Sequence, residues 1–390
     1  MSEGASDGAH LLHDLETFAF PRAAGGPEER RAAELVRERF ESLGLPTEVE
    51  TFRVGADGVR RLRLRAYGLV AAAIAIVALF PGHLASGLAG VVALLAVPFL
   101  SRWNRGIERF FDTGPPIESR NVIARRPGSG EGAPKVVFLA HVDSKSAALP
   151  TFVTVVVILA ALAALIAGSV SSLAAALGRP GWIGPAGSIP AAVLLAPAVA
   201  LVAMAFVPTG DRSPGAMDNA TGVAVLLELA RTAPHDPGLD GAELVFLATG
   251  AEEVGLCGAM RWIQRHEAEL DRTRTIVINV DSVGVGRSIV LVDARGRIAG
   301  RGIGDVLAGP ARECDLPVRW LRFLPGVGVD SMPFGARGFA TVSVLGGVLG
   351  GASRRIHTPS DEVRWIRGPA LASATRLANA IAREAARVAG

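Results

Sequence analysis

Two long runs of this chain carry almost no charge, and they limit the possible folds more than any other feature. Residues 66–101 contain no Asp, Glu, Lys or Arg, with His83 as the one basic side chain, and residues 146–210 contain a single charge, Arg179. A hydrocarbon layer of ~30 Å asks for about 20 apolar residues of helix. The Pro81-Gly82 turn signal divides the first run into helices at about 66–80 and 84–100, and the Gly/Pro-rich stretch GRPGWIGPAGSIP divides the second into about 151–169 and 190–207. The spacing predicts two transmembrane helical hairpins, the alternative being apolar hairpins buried in a globular core. A composition that is 50% hydrophobic favours lipid, because a soluble surface of this size needs more polar side chains.

A hairpin returns the chain to the side it left, so two hairpins leave every polar segment on one face of the bilayer. Arg60, Arg61, Arg63 and Arg65 precede the first hairpin and Arg102, Arg105 and Arg109 follow it, whereas its tip, PGHLAS, has neither Lys nor Arg. The positive-inside rule then predicts an integral protein of a bacterial inner membrane with its main domain cytoplasmic. The segment SRWNRGIERFF, residues 101–111, suits the headgroup interface, with a solvated helix start as the alternative. The opening MSEGASDGAHLLHDLE lacks a basic region followed by an apolar core, so no cleaved secretory signal is expected. The net charge is only +3, and Lys135 and Lys145 are the only lysines among dispersed arginines, which predicts no nucleic-acid partner. Cys257 and Cys314 form no CxxC pair, so neither a disulfide framework nor a thiolate zinc site is indicated, and a reducing compartment is the easier reading.

With the hairpins set aside, the chain alternates helix and strand. Residues 27–45 have helical apolar spacing through Ala32, Leu35, Val36, Phe40 and Leu43, and a strand is expected at 47–54. NVIARRPG, KVVFLAHVDS, ELVFLAT, TIVINVDSV, SIVLVDA and TVSVLGG read as strands, and residues 220–232, 258–269 and 369–388 as helices. The pattern predicts an α/β three-layer sandwich around a mixed, mostly parallel sheet, interrupted by the two hairpins. The expected division is residues 1–58 for the first helix and strand, 59–111 for hairpin 1 with its interfacial segment, 112–148 for core, 149–208 for hairpin 2 and 209–390 for the remaining core.

Ligand-type residues gather where the strands end. His141 and Asp143 stand at i and i+2 in KVVFLAHVDS, on one face of an extended chain, so the carboxylate is placed to hold the imidazole. Glu252 and Glu253 end ELVFLATGAEE, Asp281 ends TIVINVD, Asp218 precedes a helix and His357 lies in a loop. Taken singly, Asp218 reads as a helix N-cap and His357 as a surface histidine. As a set, two histidines and three carboxylates suffice for two zinc ions and leave one glutamate as a base. They fall beyond the carboxyl ends of strands, where open α/β sheets place their sites.

The pieces AHVDS, GAMDNATGVAVLLELAR, GAEEVGLCGA, INVDSVG and HTPSDE resemble, in order, the motifs of the co-catalytic di-zinc peptidases. That family includes bacterial leucyl aminopeptidase, aminopeptidase Y, glutamate carboxypeptidase and, more distantly, glutaminyl cyclase. The resemblance implies two Zn2+ per chain, with Asp218 bridging, His141 and Asp281 on one ion, and Glu253 and His357 on the other. It implies Asp143 as the residue that orients His141 and Glu252 as the catalytic base of a water-activated aminopeptidase acting on small or hydrophobic peptides or aminoacyl substrates. Two alternatives accompany it: a glutaminyl-cyclase-like zinc acyltransferase, suggested by AHVDSK and distinguished by holding one zinc, and a non-catalytic membrane scaffold. Three departures stand out. The second hairpin separates His141 from Asp218, which predicts a site close to the membrane surface; Tyr67 is the only tyrosine; and Met332 stands in GVDSMPF where relatives often have His. Cys257, beside the glutamate pair, reads as a small buried thiol.

Overall fold

The computed structural model describes residues 3–100, 105–179, 189–321, 328–346 and 354–390. Part of the expected interfacial segment 101–111 and most of the second hairpin's bend lie outside these residues.

Among the described residues, ten helices of ten residues or more and the eight strands of the main sheet carry the architecture. The strands are β1 (Thr47–Gly55), β2 (Pro116–Arg126), β3 (Lys135–His141), β4 (Glu243–Thr249), β5 (Thr275–Asp281), β6 (Ile289–Arg295), β7 (Val318–Trp320) and β8 (Ala340–Gly346). The helices are α1 (Glu3–Phe18), α2 (Pro27–Ser42), α3 (Gly58–Leu79), α4 (Leu84–Leu100), α5 (Thr151–Ala176), α6 (Ala191–Ala203), α7 (Thr221–Thr232), α8 (Cys257–His266), α9 (Ile303–Glu313) and α10 (Gly368–Ala389). The sheet runs β1-β2-β4-β3-β5-β8-β6-β7. Its centre, β4, β3, β5 and β8, is parallel, while β2 and β6 pair antiparallel to that block.

Period-two alternation sorts each central strand between two apolar layers. Val136, Phe138, Ala140, Leu244, Phe246, Ile276 and Ile278 point into a core closed by α1, α2, α7 and α10. Val137, Leu139, Val245, Leu247 and Val277 point the other way, onto Ala259, Trp262 and Ile263 of α8 and onto Phe334 and Phe339. The result is the α/β three-layer sandwich that the pattern predicts, with a mixed sheet. Helix α1 was not anticipated: its Leu11, Leu15 and Phe18 are buried in the first core, behind a polar and acidic start that hides the apolar stripe. The short strand β7 was also not anticipated.

The apolar runs form α3, α4, α5 and α6, which pack as a four-helix bundle around Ile74, Val77, Leu165, Leu194, Ala198 and Leu201. Small residues set the contact distances. A Cβ on Gly90 would lie 2.0 Å from Ser169 Oγ, and one on Gly168 2.6 Å from Val77 Cγ1, so these backbones meet only as glycines. Helix α3 begins at Gly58 and takes Arg60, Arg61, Arg63 and Arg65 into its first turns, which lengthens it beyond the apolar run; α5 continues to Ala176 instead of stopping near 169. The outside of the bundle is apolar and exposed through Leu69, Ile76, Leu88, Val92, Leu95, Val156, Leu159, Ile166 and Val199.

Strand β1 pairs antiparallel to β2, which is antiparallel to β4, so β1 runs in the sense of the parallel block. Hairpin 1 therefore leaves the sheet at the edge where the parallel strands end, and hairpin 2 leaves there too, following β3 through a small ribbon that pairs Ser146–Ala147 with Thr209–Gly210. Hairpin 1 is also anchored where it returns. Glu108 receives two hydrogen bonds from the Arg337 guanidinium, at 2.7 and 2.9 Å, and one from Gln264 Nε2 at 2.7 Å.

Candidate metal centre

Three neighbouring strand ends supply the centre of the site. His141 is the last residue of β3; Glu252 and Glu253 follow β4 on one side, and Asp281 ends β5 on the other. Asp218 lies in the turn before α7, where the Asp218–Asn219 peptide is cis. Asn219 ties that turn to β5: its Nδ2 donates to the Val280 carbonyl (3.0 Å), and its Oδ1 accepts from the Gly222 and Ser282 amides (3.0 and 3.1 Å). Gly222 is required here, because a Cβ would come within 2.5 Å of Asn219 and the Val280 carbonyl. His357 comes from the loop after β8.

The expected ligands come together as two triads that share one carboxylate. His141, Asp218 and Asp281 form one group and Asp218, Glu253 and His357 the other, each with candidate ligand atoms within 4.8 Å of one another. His141 Nε2 lies 3.2 Å from Asp218 Oδ1 and 3.8 Å from Asp281 Oδ1. His357 Nε2 lies 2.9 Å from Asp218 Oδ2 and 3.2 Å from Glu253 Oε1. Glu252 Oε2 reaches within 4.0 Å of His141 Nε2. Zinc suits this donor set, two imidazoles with carboxylates. Two buried atoms facing the cluster, His141 Nε2 and Glu253 Oε1, have no hydrogen-bond partner, an arrangement that metal ligation resolves.

Asp143 lies against His141 and has a second set of partners. Its carboxylate oxygens accept the Glu252 and Glu253 amides, each at 3.0 Å, while His141 Nδ1 is 3.1 Å from the Asp143 backbone carbonyl and 3.6 Å from Oδ1. It fixes the glutamate turn as much as the imidazole. Glu29 holds that turn from behind, accepting the Ala251 amide (3.0 Å), the Gly25 amide (2.6 Å) and the Ser119 hydroxyl (2.6 Å). Asp361 plays the same part for the shared ligand, taking the Met217 and Asp218 amides at 2.7 and 3.1 Å. Arg22, fully buried, donates to the carbonyls of Phe20, Val142, Pro214 and Gly215, and so clamps the chain after His141 to the chain before Asp218. None of Glu29, Asp361 and Arg22 was marked by sequence reasoning, although Asp361 lies within HTPSDE. Backbone strain is concentrated here as well. Ala251, Ser282 and His357, each at or beside a candidate site residue, have φ of +54°, +52° and +63°.

In this protein environment the two adjacent glutamates are driven apart. Burial raises the Glu252 carboxyl well above the usual range; His141 opposes this, and Glu253, Asp330 and Asp281 add to it. Burial also disfavours charge on Glu253, but His357 and Lys145 outweigh it and hold the carboxyl below its ordinary value. The Lys145 ammonium pairs directly with Glu253 Oε2. Asp218, between two imidazoles, is held well below the carboxylate range despite its burial. Asp330 is raised to about 7 by burial and receives the Thr249 hydroxyl. Cys257 is fully buried with its thiol pushed up, an inert packing residue, and Tyr67 packs against the helix bundle away from these groups.

Comparison with known proteins places the fold and part of the sequence among peptidases and glutaminyl cyclases. Residues 196–382 match peptidase family M28. Aminopeptidase YwaD of Bacillus subtilis (strain 168) is 42% identical over 73 residues, which are 18% of this chain and 15% of that protein, so the match spans a small part of the curated relative. The structure of a zinc aminopeptidase from Bacillus subtilis aligns over 97% of this chain and 95% of its own, with a TM-score of 0.55 at 16% identity. The crystal structure of Fimbriiglobus ruber glutaminyl cyclase aligns over the same shares with a TM-score of 0.54 at 13% identity. The fold is thus common to aminopeptidases and glutaminyl cyclases, and residues 196–382 of this chain are similar to peptidase family M28.

Proposed function

We propose that this chain is a zinc-dependent peptidase of the aminopeptidase type, set in a membrane by its four-helix bundle, that removes N-terminal residues from small or hydrophobic peptides. The observation that supports this reading is the pair of triads joined at Asp218, in which the buried His141 Nε2 and Glu253 Oε1 form no hydrogen bond with good geometry although each lies 3.2 Å from a neighbouring ligand-type atom. His141, Asp218 and Asp281 would hold one zinc, and Asp218, Glu253 and His357 a second. When bound, the ions supply Lewis acidity toward a peptide carbonyl and lower the pKa of water. The chain's residues do the rest. Glu252, kept protonatable by burial, carries the proton between water and the leaving amine; Asp143 and Glu29 hold the turn that aims it; Asp361 fixes Asp218.

The membrane reading rests on α3 and α5, whose 22 and 26 residues are long and apolar enough to cross a bilayer, and on the low burial of their most apolar windows, 28% in each. A core helix of a soluble protein buries most of such a stretch. The exit of both hairpins at the site's edge supports a centre near the lipid surface, and the arginine flanks support a cytoplasmic side of a bacterial inner membrane.

The AHVDSK motif and the shared fold favour one second reading, a zinc acyltransferase that cyclises N-terminal glutamine. Metal content of the purified full chain, with a panel of aminoacyl amides, dipeptides and glutaminyl peptides, separates the two. Two zinc ions with released amino acids support the peptidase; one ion with ammonia and a cyclised product overturns it.

A further inference from the structure

The two triads are supported in different ways. His141 rests on the sheet: it ends β3, opposite Thr249 of β4, and its Nδ1 faces the Asp143 carbonyl. His357 sits in a loop with a left-handed backbone, and its partners come from the lead-in to the second hairpin. The Ala147 amide donates to the His357 carbonyl at 2.9 Å, and Thr151 Oγ1, on the first residue of α5, lies 2.9 Å from His357 Nδ1. Lys145, four residues after His141, pairs with Glu253 of the same triad. One short segment, residues 145–151, therefore touches both residues that only the second triad uses.

We propose that Thr151 is a positioning residue for the second metal ion, and that through it the apolar hairpin sets the affinity of the Glu253–His357 half of the centre. The chemistry is that of tautomer selection. An imidazole that ligates through Nε2 carries its proton on Nδ1, and a hydroxyl oxygen that accepts a hydrogen bond from Nδ1–H fixes both the tautomer and the ring's rotation. A loop residue at positive φ has no strand ladder to do this, so the hydroxyl and the Ala147 amide take its place. Removing the hydroxyl leaves the donor set intact but frees the ring to turn and to present the wrong nitrogen. The first triad, which makes no use of Thr151, is unaffected. The hairpin is thereby more than an anchor, because a shift of α5 along its axis displaces a ligand-orienting group.

This inference rests on the two-metal reading, and its test keeps the two apart. The full chain is purified in lipid nanodiscs, loaded with zinc and titrated with a chelator, and zinc retained per chain is measured for wild type, Thr151→Val, Thr151→Ser and the control Thr154→Val, one turn further along α5. Thr151→Val should release one ion at a chelator activity about 10–100-fold lower than wild type while holding the other as wild type does. Thr151→Ser, which restores the hydroxyl, and Thr154→Val should follow the wild-type curve. If Thr151→Val packs poorly, Thr151→Ala replaces it, with folding checked by circular dichroism. A Thr151→Val curve that overlays wild type, or one in which both ions loosen equally, overturns the inference and leaves the two-metal reading standing. A wild-type chain that saturates at one ion overturns that reading instead; Thr151→Val must then still loosen the single ion, and if it does not, the positioning role falls too.

Discussion

Glu252 and Glu253 are neighbours in sequence with opposite surroundings, and their separation is the sharpest test at the scale of single residues. Glu252→Gln removes the proton carrier and no candidate ligand, so zinc content should stay unchanged while turnover falls by ~10²–10⁴-fold. Glu253→Ala removes an oxygen that faces His357 Nε2 at 3.2 Å, so metal should be lost first. Zinc and turnover measured together in both variants check this, and a Glu252→Gln enzyme with wild-type turnover would remove Glu252 from its role. Glu29 gives a pH signature. Burial, with Asp143 nearby, raises its carboxyl from 4.5 to about 7, so its neutral form is the one the fold prefers. Its contribution to stability is present below about pH 4.5 and is lost as pH rises through about 7. In the chelated protein, thermal melts between pH 4.5 and 8 should show the wild type losing stability relative to Glu29→Gln across that window, whatever constant offset the lost Gly25 hydrogen bond adds. Parallel pH profiles would remove Glu29 as the titrating group. The seven residues singled out from the sequence were visible because each follows an apolar strand or lies in an ordered motif. Arg22, Glu29 and Thr151 carry no such signal: their partners lie 193, 222 and 206 positions away, and only the folded chain brings them to the site.

At the scale of elements, the periodic strands and amphipathic helices could be read closely, and the errors have physical causes. Helix α1 was missed because its apolar stripe begins only at Leu11, after a polar start. Helix α3 runs past its apolar run because a helix accepts arginines in its first turns when their heads reach water. What no local pattern reveals is how a hairpin is tied down. Arg337 and Glu108 form a pair 3% and 8% exposed that joins the return of hairpin 1 to the loop before β8. Arg337→Met leaves Glu108 without its guanidinium and should cost about 3–5 kcal/mol, whereas the double change Arg337→Met, Glu108→Leu should recover much of it. Chemical denaturation of both variants in detergent measures the difference. Equal destabilisation of the two would mean that packing, and not charge, anchors the hairpin.

For the whole molecule, the arginine flanks and the common exit of both hairpins predict one topology. Reporter fusions after Gly128 and at Gly390 should read cytoplasmic, and one placed at Pro81-Gly82 external. An external signal at Gly390 would reverse the orientation. The layered fold could be read from the alternation of strands and helices, and the second hairpin's place between His141 and Asp218 already set it beside the candidate site; that hairpin 1 leaves at the same edge could not be read, since it depends on the direction of β1 within the sheet. The chain order of that centre also sets a clock. Thr151 and His357 lie 206 positions apart, and at ~5–20 residues per second a ribosome needs about 10–40 s between them. During that interval the second hairpin has already emerged, while His357, which meets its first residue, has yet to be made. On the proposed function, a nascent chain would therefore insert before its metal centre could be completed, and hydrolysis would begin only after delivery to the membrane.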